Sequence, residues 1–307
     1  MPKDCKALAL RRPRPAARWL VAFASLAVLA CPSFGDGDSL NTATGGADSL
    51  PGLMRDGSDP GGDSSESLPS VVLSSPDSGK VIPAVSQPFR AGESLRFSVQ
   101  YGIIHAGSAW LEVSSATMPN GKPGFQLVAR AESNSFFSHF YKVRNRIESL
   151  WDRDGRFSWR YAEDRREGKY KTKTEIRFDP RKHEAVYSNG DTLPIPPNVQ
   201  DALSAFYFTR YQPLPIGGSV VFDYHASHKS QPLEVRVLGR DRVDTPAGKF
   251  DCIMVEPLLR AGGIFKNKGR LVIWLTDDER RMPVLMKSRV LMGSISVVLQ
   301  EVRPGAG

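Results

Sequence analysis

Apolar and polar residues alternate along most of the chain after Phe89, with the period of two that is typical of β-strands with one solvated face. The alternation is strictest over residues 169–178, and the predicted partner of this strand is the segment 157–161, across a polar loop at 164–168. Further strand signals follow one another between residues 240 and 302, separated by turn residues. Short strands joined by turns predict an antiparallel meander.

One segment, residues 201–211, has a helical pattern instead, with Asn198 or Asp201 as its N-cap and Pro213 after its end. Roughly a dozen strands cannot form one open, twisted sheet without curling, closing or splitting. We therefore predict a mainly β fold, in which an antiparallel, strongly curved sheet or partly open barrel carries one short helix against it.

The first 30 residues have the pattern of a signal peptide. A basic region leads into the apolar residues 19–30, which are too few to span the ~30 Å of a bilayer core but fit a secretory segment. The sequence Val28-Leu29-Ala30-Cys31 resembles the bacterial lipoprotein box, in which the cysteine becomes the lipid-carrying N-terminus. Cys31 is therefore the candidate lipidation site, and Ser33-Phe34-Gly35 is the alternative site, for ordinary signal peptidase.

Residues 31–88 are rich in glycine, serine, aspartate and proline, and this composition predicts a disordered acidic linker. Residues 89–303 then form a single β-rich domain, which is large enough to fold without disulfides. The acidic residues of the linker offset the basic residues of the leader. The net charge of +8 therefore comes from the β domain, which is itself basic.

Basic side chains form rows on the predicted strands and turns. They fit two interpretations: contact with anionic groups such as lipid headgroups, lipopolysaccharide or peptidoglycan, or ordinary solvated faces and charged edges that block aggregation between sheets. Nucleic acid is not an expected partner of an exported protein. The rows are Lys169, Lys171 and Lys173; Arg165 and Arg166; Arg240 and Arg242; and Arg280 and Arg281.

Four motifs, in this order and spacing, resemble the exported bacterial family DUF3108. They are Phe89-Arg90-Ala91-Gly92-Glu93-x-Leu95, the helical segment 201–210, the turn and strand 245–252, and the run 272–284 around Trp274. The resemblance covers most of residues 89–303 and none of the leader or linker. It implies an exported, mostly antiparallel β domain in the envelope of Gram-negative bacteria, and it brings no catalytic residues with it.

Few residues carry recognisable chemistry. His225 and His228 have a spacing that a metal site can use, but polar loop histidines are the preferred interpretation because no third ligand is fixed by spacing. Asp152-Arg153-Asp154-Gly155 begins like a calcium loop, and a hairpin turn with Gly155 in the left-handed conformation explains it better. Cys252 is predicted to be a small buried apolar residue. We expect no catalytic residue, metal or cofactor.

A curved sheet leaves a concave apolar face, which would accept an acyl chain unless the helix fills it. Aromatic residues in two segments are the candidates to line it, and the segment 136–141 is apolar without clean alternation, as expected of a flap. The candidate ligand-binding residues are Phe136, Phe137, Phe140, Tyr141, Phe206 and Tyr207.

The sequence thus favours a non-enzymatic, exported, periplasmic protein of the cell envelope. We expect it to bind a hydrophobic or amphiphilic ligand, or a protein partner in envelope assembly, and to be attached to a membrane only through an N-terminal lipid if Cys31 is acylated. Two alternatives remain open at this point: a hydrolase that acts on envelope glycan or lipid, and a purely structural adaptor.

Overall fold

The computed structural model describes residues 87–261, 264–265, 270–289 and 293–306. The predicted signal peptide, the candidate lipidation site Cys31 and the predicted linker as far as residue 86 lie outside the described residues.

Strands dominate the described part of the chain. The strands are β1 (Ser94–Tyr101), β2 (Ile104–Thr117), β3 (Pro123–Ser133), β4 (Val143–Asp152), β5 (Ser158–Glu167), β6 (Tyr170–Asp179), β7 (Glu184–Tyr187), β8 (Thr192–Pro194), β9 (Ser219–Ala226), β10 (Lys229–Thr245), β11 (Gly248–Ala261), β12 (Ile264–Phe265), β13 (Leu271–Thr276), β14 (Pro283–Arg289) and β15 (Ser294–Arg303). The helices are α1 (Ser135–Phe140) and α2 (Ala202–Thr209).

All of the strand pairs are antiparallel, in the order β8-β7-β6-β5-β4-β3-β2-β1-β15-β14-β13-β11-β10-β9, and β12 pairs with β11. Most neighbours are consecutive in sequence, as a meander requires. The long-range pair joins β1 to β15, so the open edges of the sheet are β8 and β9, which α2 connects. The prediction of a mainly β, strongly curved antiparallel sheet is confirmed.

The two open edges meet without a ladder of their own. Gln200, in the connection before α2, bridges to Tyr224 of β9, and the Tyr187 hydroxyl on β7 lies 2.8 Å from His225 Nε2 on β9. We call this line of contact between the edges the seam. The barrel is therefore partly open, because an irregular segment and side-chain contacts take the place of the backbone hydrogen bonds that would close the sheet.

Helix α2 forms where the sequence predicts it, and Asp201 is its cap. The Asp201 side chain accepts hydrogen bonds from the backbone N–H groups of Leu203 and Ser204, each at 2.8 Å, and the Ser204 hydroxyl oxygen in turn accepts one from the Asp201 N–H. This capping box satisfies N–H groups that a helix start leaves without partners. The helix packs Leu203 and Tyr207 into the interior and ends before Pro213.

The prediction of a single helix is wrong, because α1 is a second one. Its six residues follow Asn134, whose side chain accepts a hydrogen bond from the Phe137 N–H at 2.9 Å. The predicted loop 164–168 is also wrong, since β5 continues through Glu167 and only Gly168 and Lys169 form the turn to β6. In the turn after β4, Arg156 rather than Gly155 takes the left-handed conformation, with φ of 52°.

Aromatic side chains fill the barrel interior at the α2 end. The Phe89 ring lies against Phe125, Trp151, Tyr207 and Tyr211, with centroid separations between 4.8 and 6.0 Å. Tilted and edge-to-face pairs at these distances stabilise the core beyond the area that they bury. The concave face is therefore packed at this end by α2 and by the segment that precedes β1.

Candidate functional site

The two helices lie near opposite ends of the barrel. Strand β3 passes from Phe125, beside the aromatic cluster under α2, to Ser133, which precedes α1. Eight residues of strand span about 26 Å. The six residues predicted to bind a ligand are therefore not brought together: four belong to the α1 end and two to the α2 end.

The two predicted residues on α2 belong to the packed core. Tyr207 is fully buried, and this burial raises the pKa of its hydroxyl well above the usual value. Phe206 is half-buried and packs against the same core cluster. Both side chains contribute to the packing that fixes α2 on the sheet.

An apolar cavity of about 40 Å³ lies beneath α1. Phe137 and Tyr141 cover it, while the strands below contribute Val99, Ala131 and Val143 to its walls. Gly107 also borders it, and a β-carbon there would lie 2.1 Å from the Glu132 carbonyl oxygen, so only glycine allows this approach of β2 to β3. Two of the predicted ligand-binding residues thus line a real cavity.

Hydrogen bonds, rather than packing, attach α1 to the sheet. None of its residues is buried. Asn134 at its start donates to the His105 carbonyl at 2.6 Å, and the Ser138 hydroxyl lies 2.8 Å from that of Ser133. Because each such bond contributes only about 1 kcal/mol to stability, α1 is weakly held compared with α2.

The other two predicted residues, Phe136 and Phe140, face solvent. Their exposed fractions are 61% and 78%, and their rings form an edge-to-face pair with centroids 5.6 Å apart. Large apolar side chains that cluster in solvent mark contact surfaces more often than scattered ones do.

A buried polar cluster surrounds the start of α2 and was not predicted. Asp201 Oδ2 accepts a hydrogen bond from the Ser149 hydroxyl at 2.5 Å, and the Ser158 and Ser204 hydroxyls lie 2.7 Å apart beside it. Burial raises the pKa of the Asp201 carboxyl, and the bonds from Ser149 and the helix backbone oppose that rise. The carboxylate acts as a helix cap, and no histidine is among its hydrogen-bond partners.

A second buried contact joins Arg210, after α2, to Glu93, before β1. The two guanidinium N–H groups bind the two carboxylate oxygens at 2.6 and 2.9 Å, and further bonds reach the carbonyls of Pro88 and Arg280. Arg210 also lies over the Phe89 ring, with 4.9 Å from its Cζ to the ring centroid. The pair therefore connects the helix to two distant parts of the chain.

His225 is not a polar loop histidine, as the sequence suggested, but a buried residue of β9. Its ring nitrogens lie 2.8 Å from the Tyr187 hydroxyl and 2.8 Å from the Ser230 hydroxyl. Burial lowers its pKa to about 4, so the ring is neutral near pH 7. His228 stacks on Tyr187 and pairs with Asp191 at 3.2 Å.

These histidines do not form a recognisable catalytic or metal site. His225 has serine and tyrosine partners but no carboxylate to complete a triad. Within the described ranges, no three histidine, cysteine, aspartate or glutamate side chains are placed to hold a metal ion. Cys252 is buried as predicted, and its pKa is raised to about 12, mainly by that burial, which is the environment of an unreactive thiol.

Comparisons with known proteins identify the family of the chain and give no activity. The model of the family described as protein of unknown function, DUF3108, matches residues 96–300. A search of curated proteins gave no significant match. Neither helix in the described part of the chain has the length and hydropathy of a membrane span.

Three solved structures are similar to this chain at low identity. A β-barrel-like protein of the family DUF1849 from Brucella abortus has a TM-score of 0.49 and 10% identity, over 72% of this chain and 99% of its own. A candidate lipoprotein from Parabacteroides distasonis has a TM-score of 0.33 and 13% identity, over 72% and 100%. A candidate exported protein with a YmcC-like fold from Bacteroides fragilis has a TM-score of 0.30 and 15% identity, over 72% and 99%.

Proposed function

The chain belongs to the DUF3108 family, and we propose that it is an exported, non-enzymatic protein of the cell envelope that binds the apolar chain of an amphiphile beneath α1. The cavity under this helix is the observation that carries the proposal. Export is supported by the basic and apolar leader, and a periplasmic location with attachment through Cys31 is supported by the lipoprotein-like sequence at residues 28–31.

The size of the cavity determines how a ligand would enter. Pockets that enclose a whole small molecule measure roughly 300–1,000 Å³, and this one measures about 40 Å³. An acyl chain therefore needs α1 to move outward as a lid. The helix is suited to that movement, because hydrogen bonds at its ends hold it and it buries none of its residues.

The chemistry of the walls suits an apolar chain. The strand side chains that face the cavity are Val99, Ala131 and Val143, and the lid contributes two aromatic rings, of Phe137 and Tyr141. When the lid lifts, Phe136 and Phe140 on its outer side remain available to cover the emerging part of the ligand. Each methylene that leaves water contributes about 0.8 kcal/mol.

A cavity-filling substitution tests this proposal. Ala131→Leu places a larger side chain in the cavity, and we expect it to reduce binding of a fluorescent fatty acid by about tenfold or more. Ala116→Leu, at the other end of the β2–β3 pair, is the matched control and should bind like the unmodified protein. Equal binding by all three chains, or no binding of any acyl probe, would contradict the proposal.

A structural adaptor is the second candidate, because the interior at the α2 end is already filled by aromatic side chains. An adaptor needs no ligand, and it would retain a single protein partner in a pull-down while binding no acyl probe. A hydrolase is not favoured, since the buried Asp201 cluster has no histidine partner and the His225 cluster has no carboxylate partner.

A further inference from the structure

Three segments meet at the α1 end of the barrel. The backbone N–H of Asn134, before α1, donates to the Ala106 carbonyl after the β1–β2 turn at 2.9 Å. On the other side, the N–H of Gly168 in the β5–β6 turn donates to the Lys142 carbonyl at 2.8 Å, and Gly168 lies against the Tyr141 ring. Residues 102–106, 134–142 and 168–171 thus form one continuous surface, which we call the tip.

The tip carries most of the large apolar side chains that are exposed among the described residues. In the part of the chain that the structure describes, every large aromatic side chain classed as exposed belongs to it, together with two isoleucines of the β1–β2 turn. Ile103 is 99% exposed. A large apolar side chain has no structural role at such a position in a turn, and an exposed apolar cluster of this kind marks a contact surface. The exposed apolar residues of the tip are Ile103, Ile104, Phe136, Phe140 and Tyr170.

The tip is also entirely without acidic residues, although it carries three lysines. Lys142, Lys169 and Lys171 are exposed and make no ion pair with a described residue. The turns at the other end of the same strands carry charges of both signs, since Asp154 follows Arg153 after β4 and Asp179 is followed by Arg181 after β6. The positive charge and the apolar surface therefore coincide on one end of the barrel.

We propose that the tip docks on the surface of an anionic lipid membrane, with its aromatic and isoleucine side chains in the interface and its lysines on the headgroup phosphates. Aromatic rings on short turns are suited to the headgroup region, and each lysine near an anionic surface adds attraction. This docking goes beyond the proposed ligand binding, because it concerns a membrane surface and not a bound amphiphile. The tip would also be a second point of membrane contact, in addition to the N-terminal lipid.

Vesicle sedimentation tests the docking directly. The Cys31→Ser substitution removes the candidate lipidation site from the exported chain, so any vesicle binding by this variant comes from the protein surface. We expect this chain to sediment with vesicles that contain phosphatidylglycerol, to bind phosphatidylcholine vesicles much less, and to be released by salt. Phe136→Ser and Phe140→Ser should each weaken binding by about tenfold, and Lys169→Gln and Lys171→Gln each by about fivefold.

The matched control is Val221→Ser, which removes a side chain that is 53% exposed on the edge strand β9, away from the tip. It should bind vesicles like its parent. Absence of vesicle binding, equal loss in the control and tip variants, or capture of a protein partner without lipid binding would overturn the proposal. The Ala131→Leu variant separates the two functions, since it should lose the acyl probe and still sediment with anionic vesicles.

Discussion

At the scale of single residues, the contact between Arg210 and Glu93 has the largest consequence for stability. The guanidinium is completely buried and gives all of its donor nitrogens to Glu93, Pro88 and Arg280. A buried charge of this kind is tolerated only because its partner and hydrogen bonds are in place. The pair therefore determines where the segment before β1 joins the barrel.

Arg210→Ala should lower the free energy of unfolding by about 3–5 kcal/mol, because it leaves the Glu93 carboxylate buried without its partner. Urea unfolding followed by tryptophan fluorescence measures the change. Arg144→Ala removes an exposed arginine that lies 3.6 Å from Glu132, and it should leave the transition unchanged. A similar small effect of both substitutions would show that the buried pair is not a structural determinant.

At this scale the sequence indicates residues but not their partners. Arg210 and Glu93 both lie in motifs that carry the family resemblance, yet they are 117 positions apart, and alternation gives no information on such pairs. The sequence predicts His225 in a polar loop, whereas β9 extends through Ala226 and buries it. The alternating pattern of residues 219–224 indicates a strand, and its continuation by one position places His225 in that strand.

At the scale of elements, the two helices differ in how they are attached and in how well the sequence predicts them. Helix α2 has a capping box at Asp201 and a proline after its end, both readable from local sequence. Helix α1 is capped by Asn134, but it has only six residues, no acidic residue in its first turn and no buried face, so periodicity does not distinguish it from a loop. In the sequence it is visible only as an apolar segment without alternation.

This difference predicts that removing the cap of α2 lowers global stability and that removing the cap of α1 changes only local opening. Asp201→Ala should destabilise the whole domain by about 2 kcal/mol or more, because it removes a buried cap and leaves the Ser149 hydroxyl without its acceptor. Asn134→Ala should leave the global transition almost unchanged and should speed hydrogen exchange at the Phe137 and Ser138 amides. Global destabilisation by Asn134→Ala would contradict the description of α1 as a weakly held lid.

At the scale of the whole molecule, the fold follows from a simple pattern and the functional surface does not. Alternating residues predict a curved antiparallel sheet, and that prediction is confirmed. The tip, by contrast, depends on the register that places Gly168 beside Lys142 and Asn134 beside Ala106. A slip of one residue would turn each strand over, so sequence patterns named the lysines and the aromatic segment separately without joining them.

The seam between β7 and β9 gives the whole molecule a pH dependence. His225 has a pKa of about 4 in the folded protein, below the ~6.5 of an unfolded histidine. Between these values only the unfolded chain binds the proton, so stability falls as the pH drops from about 6.5 to about 4 and this contribution changes no further below that. The groups around the ring are Tyr187, His228 and Ser230, and none of them is a carboxylate that would stabilise the protonated form.

Thermal unfolding across this pH range measures the effect, whose full size is on the order of 3 kcal/mol. His225→Gln should remove most of the slope between pH 6.5 and 4.5, whereas the exposed His105→Gln should keep it. Carboxylates with lowered pKa values, such as Asp164 and Asp278, lose their contributions only at lower pH. Burial raises the pKa of Asp201, and that shift acts in the opposite direction, so the comparison with His225→Gln isolates the contribution of the histidine. An unchanged slope in His225→Gln would mean that the pH dependence does not come from a neutral imidazole at the seam.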